Sequence, residues 1–205
     1  MSKIITIGRQ YASGGRLVGE LLAKKMGYTF FDKELITLAA KESGLSREFF
    51  EQTDEKKPRG FFSSLFGIHS NIQPGDSNNS CLNRDMLFKI QSEIIKQLAE
   101  KQNCVFVGRC ADYILRENKD IINIFITANR DDRRLCLCKY GENTSSETID
   151  EILDKTDRQR AEYYNFFTNK RWGDAQSYHL CINSSLLGID QTVEHIVEFA
   201  NNRFK

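Results

Sequence analysis

The chain has 205 residues, in which 29 Lys and Arg nearly balance 28 Asp and Glu, leaving a formal net charge of +1. A chain of this length can bury one substantial core, so a single domain over 1–205 is expected. The balanced charge gives no global field for nucleic acid or an anionic membrane, no apolar run reaches membrane-spanning length, and Met1-Ser2-Lys3 leads directly into a strand pattern; together these features read as a cytoplasmic protein.

Lys3–Ile7 is a short β-branched run that predicts a strand. A glycine-containing turn follows, and Leu17, Leu21, Leu22 and Met26 then keep helical spacing from Gly15 until Gly27 ends the helix. Asp32 caps a predicted helix over Asp32–Ser43, stopped by Gly44. Residues 54–81 contain both prolines, Pro58 and Pro74, with several glycines and a Ser/Asn cluster, and read as a long loop, either a substrate-covering or a disordered segment rather than scaffold. Phe61–Phe66 inside it is too apolar to stay solvated, which predicts a short docked helix or a protein contact.

Asn83–Lys101 presents Leu87, Ile90, Ile94, Ile95 and Leu98 on one helical face. Cys104–Val107 and Ile121–Thr127 read as strands, and Asn129 caps a helix reaching about Lys139. Thr144-Ser145-Ser146-Glu147 has capping-box spacing before a long helix towards Asn169, Tyr178–Asn183 reads as a strand, and Asp190 caps the last helix. Strands alternating with helices imply βαβ units, a parallel sheet and a three-layer α/β fold.

Three groups of residues carry chemistry. The strand–turn–helix at the start places Ser13, Gly14 and Gly15 where backbone N–H groups and a helix N-terminus can cradle a phosphate. Against the pattern G-x-x-x-x-G-K-[ST], Gly14 aligns with the second glycine, so Arg9 replaces the first glycine, Gly15 the lysine and Arg16 the hydroxyl residue. Arg16, with Arg9, could supply the missing cation; an ordinary turn with a solvated arginine is the plainer account. The second group is Gly108-Arg109-Cys110-Ala111-Asp112, where a strand ends in a guanidinium able to grip a phosphate at the same sheet edge. Asp32 would lie near that cleft.

The third group is the helical stretch 154–162. Arg158 stands four residues from both Asp154 and Glu162 and can be satisfied by them, whereas Asp157, Arg160 and Tyr164 share another face that is free to meet a ligand. Core packing is the plainer account of the local aromatics, with base stacking by Trp172 the lesser alternative. The six cysteines lack C-x-x-C spacing and read as reduced thiols, mostly buried, with no metal site.

Ile4–Arg16, Tyr28–Ile36, Gly108-Arg109, Asp157-Arg158-Gln159-Arg160-Ala161 and Cys181-Ile182-Asn183-Ser184-Ser185 together resemble the cytidylate kinase-like family nearly end to end. The resemblance implies a P-loop kinase fold related to the nucleoside monophosphate kinases, with a five-stranded parallel sheet, an NMP-region loop at 53–82 and a LID-like region at 144–175. It also implies ATP and Mg2+, with a nucleoside monophosphate or similar small phosphate acceptor as partner substrate. Arg9, Ser13, Gly14, Gly15 and Arg16 would bind the donor phosphates, with Arg16 as loop cation. Asp32, Arg109 and Asp112 would hold the acceptor; Arg158 and Arg160 would close over the transferring group, with Asp157 orienting them or magnesium. Val107 and Cys110 stand where cytidylate kinases carry aspartates, and Leu153 where they carry an upstream LID arginine. The alternative is a catalytically weak or inactive nucleotide-binding module acting through a protein partner. The resemblance leaves a homo-oligomer open.

Overall fold

Five parallel strands form the sheet: β1 (Ile4–Arg9), β2 (Thr29–Phe31), β3 (Cys104–Val107), β4 (Ile121–Thr127) and β5 (Leu180–Asn183), in the order β2-β3-β1-β4-β5. The computed structural model describes residues 2–36, 77–139 and 148–205. The helices include α1 (Gly15–Met26), α2 (Ser77–Lys101), α3 (Ala111–Ile114), α4 (Arg130–Lys139), α5 (Ile149–Thr168) and α6 (Ser184–Arg203). The expected helix beyond residue 36, most of the loop at 54–81 with Phe61–Phe66, and the capping box at 144–147 lie outside the described residues.

Strand periodicity sorts the core into two layers. Ile4, Cys104, Phe106 and Ile121 point to one face, where Ile94 and Ile95 of α2, Ile114 of α3 and Tyr164 of α5 cover them. Ile5, Ile7, Val105, Val107, Ile122, Ile124 and Ile126 point to the other, under Val18 and Leu22 of α1 and Val193 and Ile196 of α6. A parallel sheet covered on both faces needs apolar residues at nearly every central position, which is why these strands read as unbroken apolar runs.

Several boundaries differ from the sequence expectations. β1 runs two residues further, to Arg9, which makes Arg9 a strand-end residue rather than part of the turn. β2 is a three-residue edge strand. α2 starts at Ser77 rather than Asn83. The capping box that opens α5 is Thr148 with Glu151, the hydroxyl accepting the Glu151 N–H. The last helix begins at Ser184 under an Asn183 cap and breaks at Gly188 (φ 72°, ψ 169°), so Asp190 sits just inside its second piece.

The topology also opens a crevice. After β1 the chain passes to α1 on one face, whereas after the neighbouring β3 it passes to α3 on the opposite face. Chains leaving adjacent strands in opposite directions leave a gap at the strands' carboxyl ends, where α/β proteins bind ligands.

Candidate active site

A cavity of about 350 Å³ fills that crevice, bounded by the ends of β1 and β3 and by one face of α5. Gly8, Arg9, Gly108, Arg109 and Lys33 line it from the sheet, Arg160, Tyr163 and Tyr164 from α5, with Asp112, Trp172 and Tyr178 at its sides. Arg9, Arg109 and Arg160 therefore meet across one small space. No carboxylate among the described residues is within ion-pair distance of any of the three. Arg109 lies over the Tyr163 ring at 5.6 Å and Arg160 over the Tyr11 ring at 5.2 Å, while Arg160 Nη1 donates to the Arg9 carbonyl at 3.0 Å.

The electrostatics record this crowding. Burial, followed by the fields of Arg160 and Arg109, pulls the Arg9 guanidinium down to about 9, with Asp32 offsetting part of the loss. Burial also lowers Arg160, and burial together with Arg109 lowers Lys33. A cluster of like charges in a half-enclosed space is unfavourable until an anion enters it.

Arg9 also explains the altered loop. A Cβ at Gly15 would sit 2.5 Å from Arg9 Cβ, and a Cβ at Gly108 (φ 79°) would sit 2.2 Å from Arg9 Nη1. The Arg9 stem fills the room that a side chain at position 15 would need, and its guanidinium lies against Gly108. Relative to the lysine-bearing pattern, the cation has moved from the helix start to the strand end, and glycine has moved the other way. Gly14 (φ 74°) forms the α1 N-cap without any side-chain cap, and the first helical bond runs from Val18 N–H to the Gly14 carbonyl, so the N–H groups opening α1 remain available to an anion.

Arg16 turns away from this loop. Its Nε and Nη2 donate to Asp32 Oδ2 at 2.9 and 2.8 Å, and Nη1 meets Glu20 at 3.2 Å. Asp32 is thereby occupied: its other oxygen accepts the N–H groups of Glu34 and Leu35, each at 3.0 Å. Ser13 donates its hydroxyl to the Gln10 carbonyl at 2.9 Å, and its own carbonyl accepts from Ser184 at 2.8 Å, so it braces the turn. Arg158 is exposed and lies outside the cavity; Asp154 pairs with Arg130 instead, Nη1 to Oδ1 at 2.7 Å. Asp157 is bound to the loop backbone and to Arg133, a residue the sequence reading did not single out.

At the other side of the cavity, Asp112 accepts the Tyr164 hydroxyl at 2.7 Å, and burial raises its carboxyl above the usual range. Trp172 stands edge-on to Phe125 with centroids 5.2 Å apart. Cys110 also lines the space, but burial pushes its thiol up to about 12, which makes it a poor nucleophile. Cys138 and Cys181 are exposed rather than buried. Among the described residues no three His, Cys, Asp or Glu side chains gather into a metal-binding group, and no helix is long and apolar enough to cross a membrane.

Sulfate should report on the arginine cluster. It stays doubly charged across the accessible pH range, so any change in its binding comes from the protein. Without anion, the lowered Arg9 value penalises the folded state below about 9, and that penalty fades as pH rises from about 9 towards 12.5. The sulfate-induced rise in thermal midpoint, measured against chloride at matched ionic strength, should therefore be full at pH 7 and shrink above about 9 as Arg9 discharges. A sulfate effect that is constant through that range would remove Arg9 from the anion site.

Comparison with known proteins agrees with this architecture. A crystal structure of an uncharacterized protein from Eubacterium ventriosum is similar over 98% of this chain and 99% of its own, at 26% identity and TM-score 0.72. The shikimate kinase of Bacteroides thetaiotaomicron matches at 14% identity and TM-score 0.54, covering 97% of this chain and 98% of its own. That of Acinetobacter baumannii, in complex with shikimate, matches at 13% identity and TM-score 0.52, covering 100% and 96%. At those identities the shikimate kinases establish the kinase fold alone. Comparison with curated proteins gives no significant match. The family model described as the cytidylate kinase-like family matches residues 4–186, and the chain belongs to that family.

Proposed function

We propose that this protein transfers the terminal phosphoryl group of ATP to a small acceptor carrying a phosphate or a comparable anionic group. A nucleoside monophosphate is the acceptor class to which the family points. The observation that carries the reading is the meeting of Arg9, Arg109 and Arg160 in one cavity without a carboxylate partner among the described residues. Phosphoryl transfer asks mainly for positioning and charge neutralisation, which arginines supply.

The N–H groups opening α1 would receive the donor phosphates beside the turn at Gly14. Arg109 and Arg160, which fork and can bind two oxygens at once, would hold the acceptor's anionic group. Arg9 lies between loop and Gly108 and would neutralise charge on the phosphoryl group in transit. Asp112, Tyr164 and Trp172 would bound the remainder of the acceptor. Magnesium, if used, would neutralise donor phosphates while held largely by those phosphates and water. The carboxylates nearest the loop, Asp32 and Asp157, are already engaged, so no side chain is assigned to the metal.

The test is ADP release from Mg-ATP by the purified protein against a panel of CMP, dCMP, UMP, AMP, GMP and shikimate, with an acceptor-free control. Release that depends on one panel member is expected and names the acceptor class. ATP binding without release for any acceptor would overturn the transferase reading in favour of a binding module.

A further inference from the structure

The phosphate loop is gripped from outside by side chains of two helices. Tyr11 lies in mid-turn, where N–H and C=O groups ordinarily turn to water. Here Asp157 Oδ1 of α5 accepts the Tyr11 N–H at 2.7 Å, and Arg133 Nε of α4 donates to the Tyr11 carbonyl at 2.7 Å. Arg133 Nη2 closes the ring by donating to Asp157 Oδ2 at 2.5 Å. Both side chains are withdrawn from solvent, 6% and 17% exposed. Desolvating such a pair largely cancels its attraction, so stability alone is a weak reason to bury it.

What the pair fixes is geometry. A fork and a carboxylate hold the two polar groups of a single residue, and the next residue, Ala12, takes φ 58°. A residue with a Cβ stays in that left-handed region only where its surroundings hold it there. Arg160, three residues after Asp157, adds a second grip on the Arg9 carbonyl. Outside the pair, Arg130 and Arg134 of α4 bond Asp150 of α5, and Arg130 also bonds Asp154, which keeps the two helices in register.

We propose that Arg133 and Asp157 are positioning residues: the pair holds Tyr11 and Ala12 in the conformation that receives the donor phosphates, and Asp157 touches neither metal nor substrate. The inference rests on the loop being the donor site. It assigns Arg133 a part in function although the side chain does not line the cavity.

The experiment compares the full-length chain with Asp157→Asn, Arg133→Lys and the double variant, checking by thermal denaturation that each is folded. In the nucleotide-free protein, hydrogen–deuterium exchange at residues 11–13 should accelerate by about ten- to a hundredfold, the scale of a lost charge-assisted hydrogen bond, while the central strands keep their protection. Unchanged loop exchange would overturn the clamp whether or not nucleotide binds. ATP affinity by calorimetry, measured with Mg2+ and again with EDTA, should fall by about tenfold or more in both conditions, with the double variant no worse than the poorer single. A loss confined to Mg2+ would make Asp157 a metal ligand, and tighter binding would make it a stand-in for phosphate; either overturns the proposal. A wild-type chain that binds no ATP would instead overturn the donor-site reading, leaving the exchange result to decide the clamp by itself.

Discussion

Arg9→Met is expected to raise the thermal stability of the protein while lowering kcat/KM by about 10²- to 10³-fold, the scale of losing one preorganised charge at a phosphoryl transfer site. The two effects have one cause. Arg9 is half-buried in a cavity shared with two other guanidinium groups, with no carboxylate paired to it among the described residues, and its value falls to about 9. Methionine keeps much of the stem that packs beside Gly15 and removes the charge. The folded state then no longer bears a cost of desolvation and like-charge repulsion on the order of a few kcal/mol, by the usual conversion of about 1.4 kcal/mol per pKa unit. Thermal denaturation and steady-state kinetics on the acceptor found in the ADP assay measure both halves. A destabilised variant would mean that the guanidinium is a structural member satisfied by its surroundings. An unchanged kcat/KM would mean that its charge never faces the reacting phosphates.

Such a trade of stability for charge is hard to read from the chain. The strands were legible because a sheet covered on both faces requires apolar runs, and β1, β3 and β4 supply them. The edge strand Thr29–Phe31 was not, because three residues carry too little pattern and one of its flanks has no neighbour among the described residues. At the loop, the substitution of Arg9 and Gly15 for the usual glycine and lysine was visible as two departures. That they compensate each other depends on a 2.5 Å approach between positions on a strand and a helix, which no spacing rule contains.

Arg16 and Arg133 mark the limits from opposite sides. Arg16 stands at the loop in sequence, yet Glu20 lies one turn further along the same helix and Asp32 caps the next element; with Asp32 the side chain forms a pair, and it is 59% exposed. The Glu20 spacing was a readable warning. Arg133 sits among Arg130, Asp131, Asp132 and Arg134 and reads as one more charge on a solvated helix. Its partner lies 24 residues away on another helix, beyond any local rule. One signal did exist: Leu137, a turn later, is buried beside it, which placed position 133 on the inward face of α4.

The same periodicity separates two arginines that the family resemblance treats alike. Arg160→Ala should lower kcat/KM by about 10²-fold or more, whereas Arg158→Ala should stay within about twofold of the parent. Position 160 shares its helical face with Asp157 and Tyr164 and turns to the cavity, where its guanidinium donates to the Arg9 carbonyl and covers the Tyr11 ring. Position 158 lies some 200° around the helix from 160 and is exposed to water. An exposed side chain without an ion pair among the described residues can be removed at little cost to the fold, so its substitution isolates the question of function. Steady-state kinetics of the two variants, with KM for ATP and for the acceptor determined separately, checks the ordering. If Arg158→Ala proved as damaging as Arg160→Ala, α5 would have to rotate or bend during turnover to bring both guanidinium groups to the substrate, and the arginine cluster described here would be only the resting arrangement.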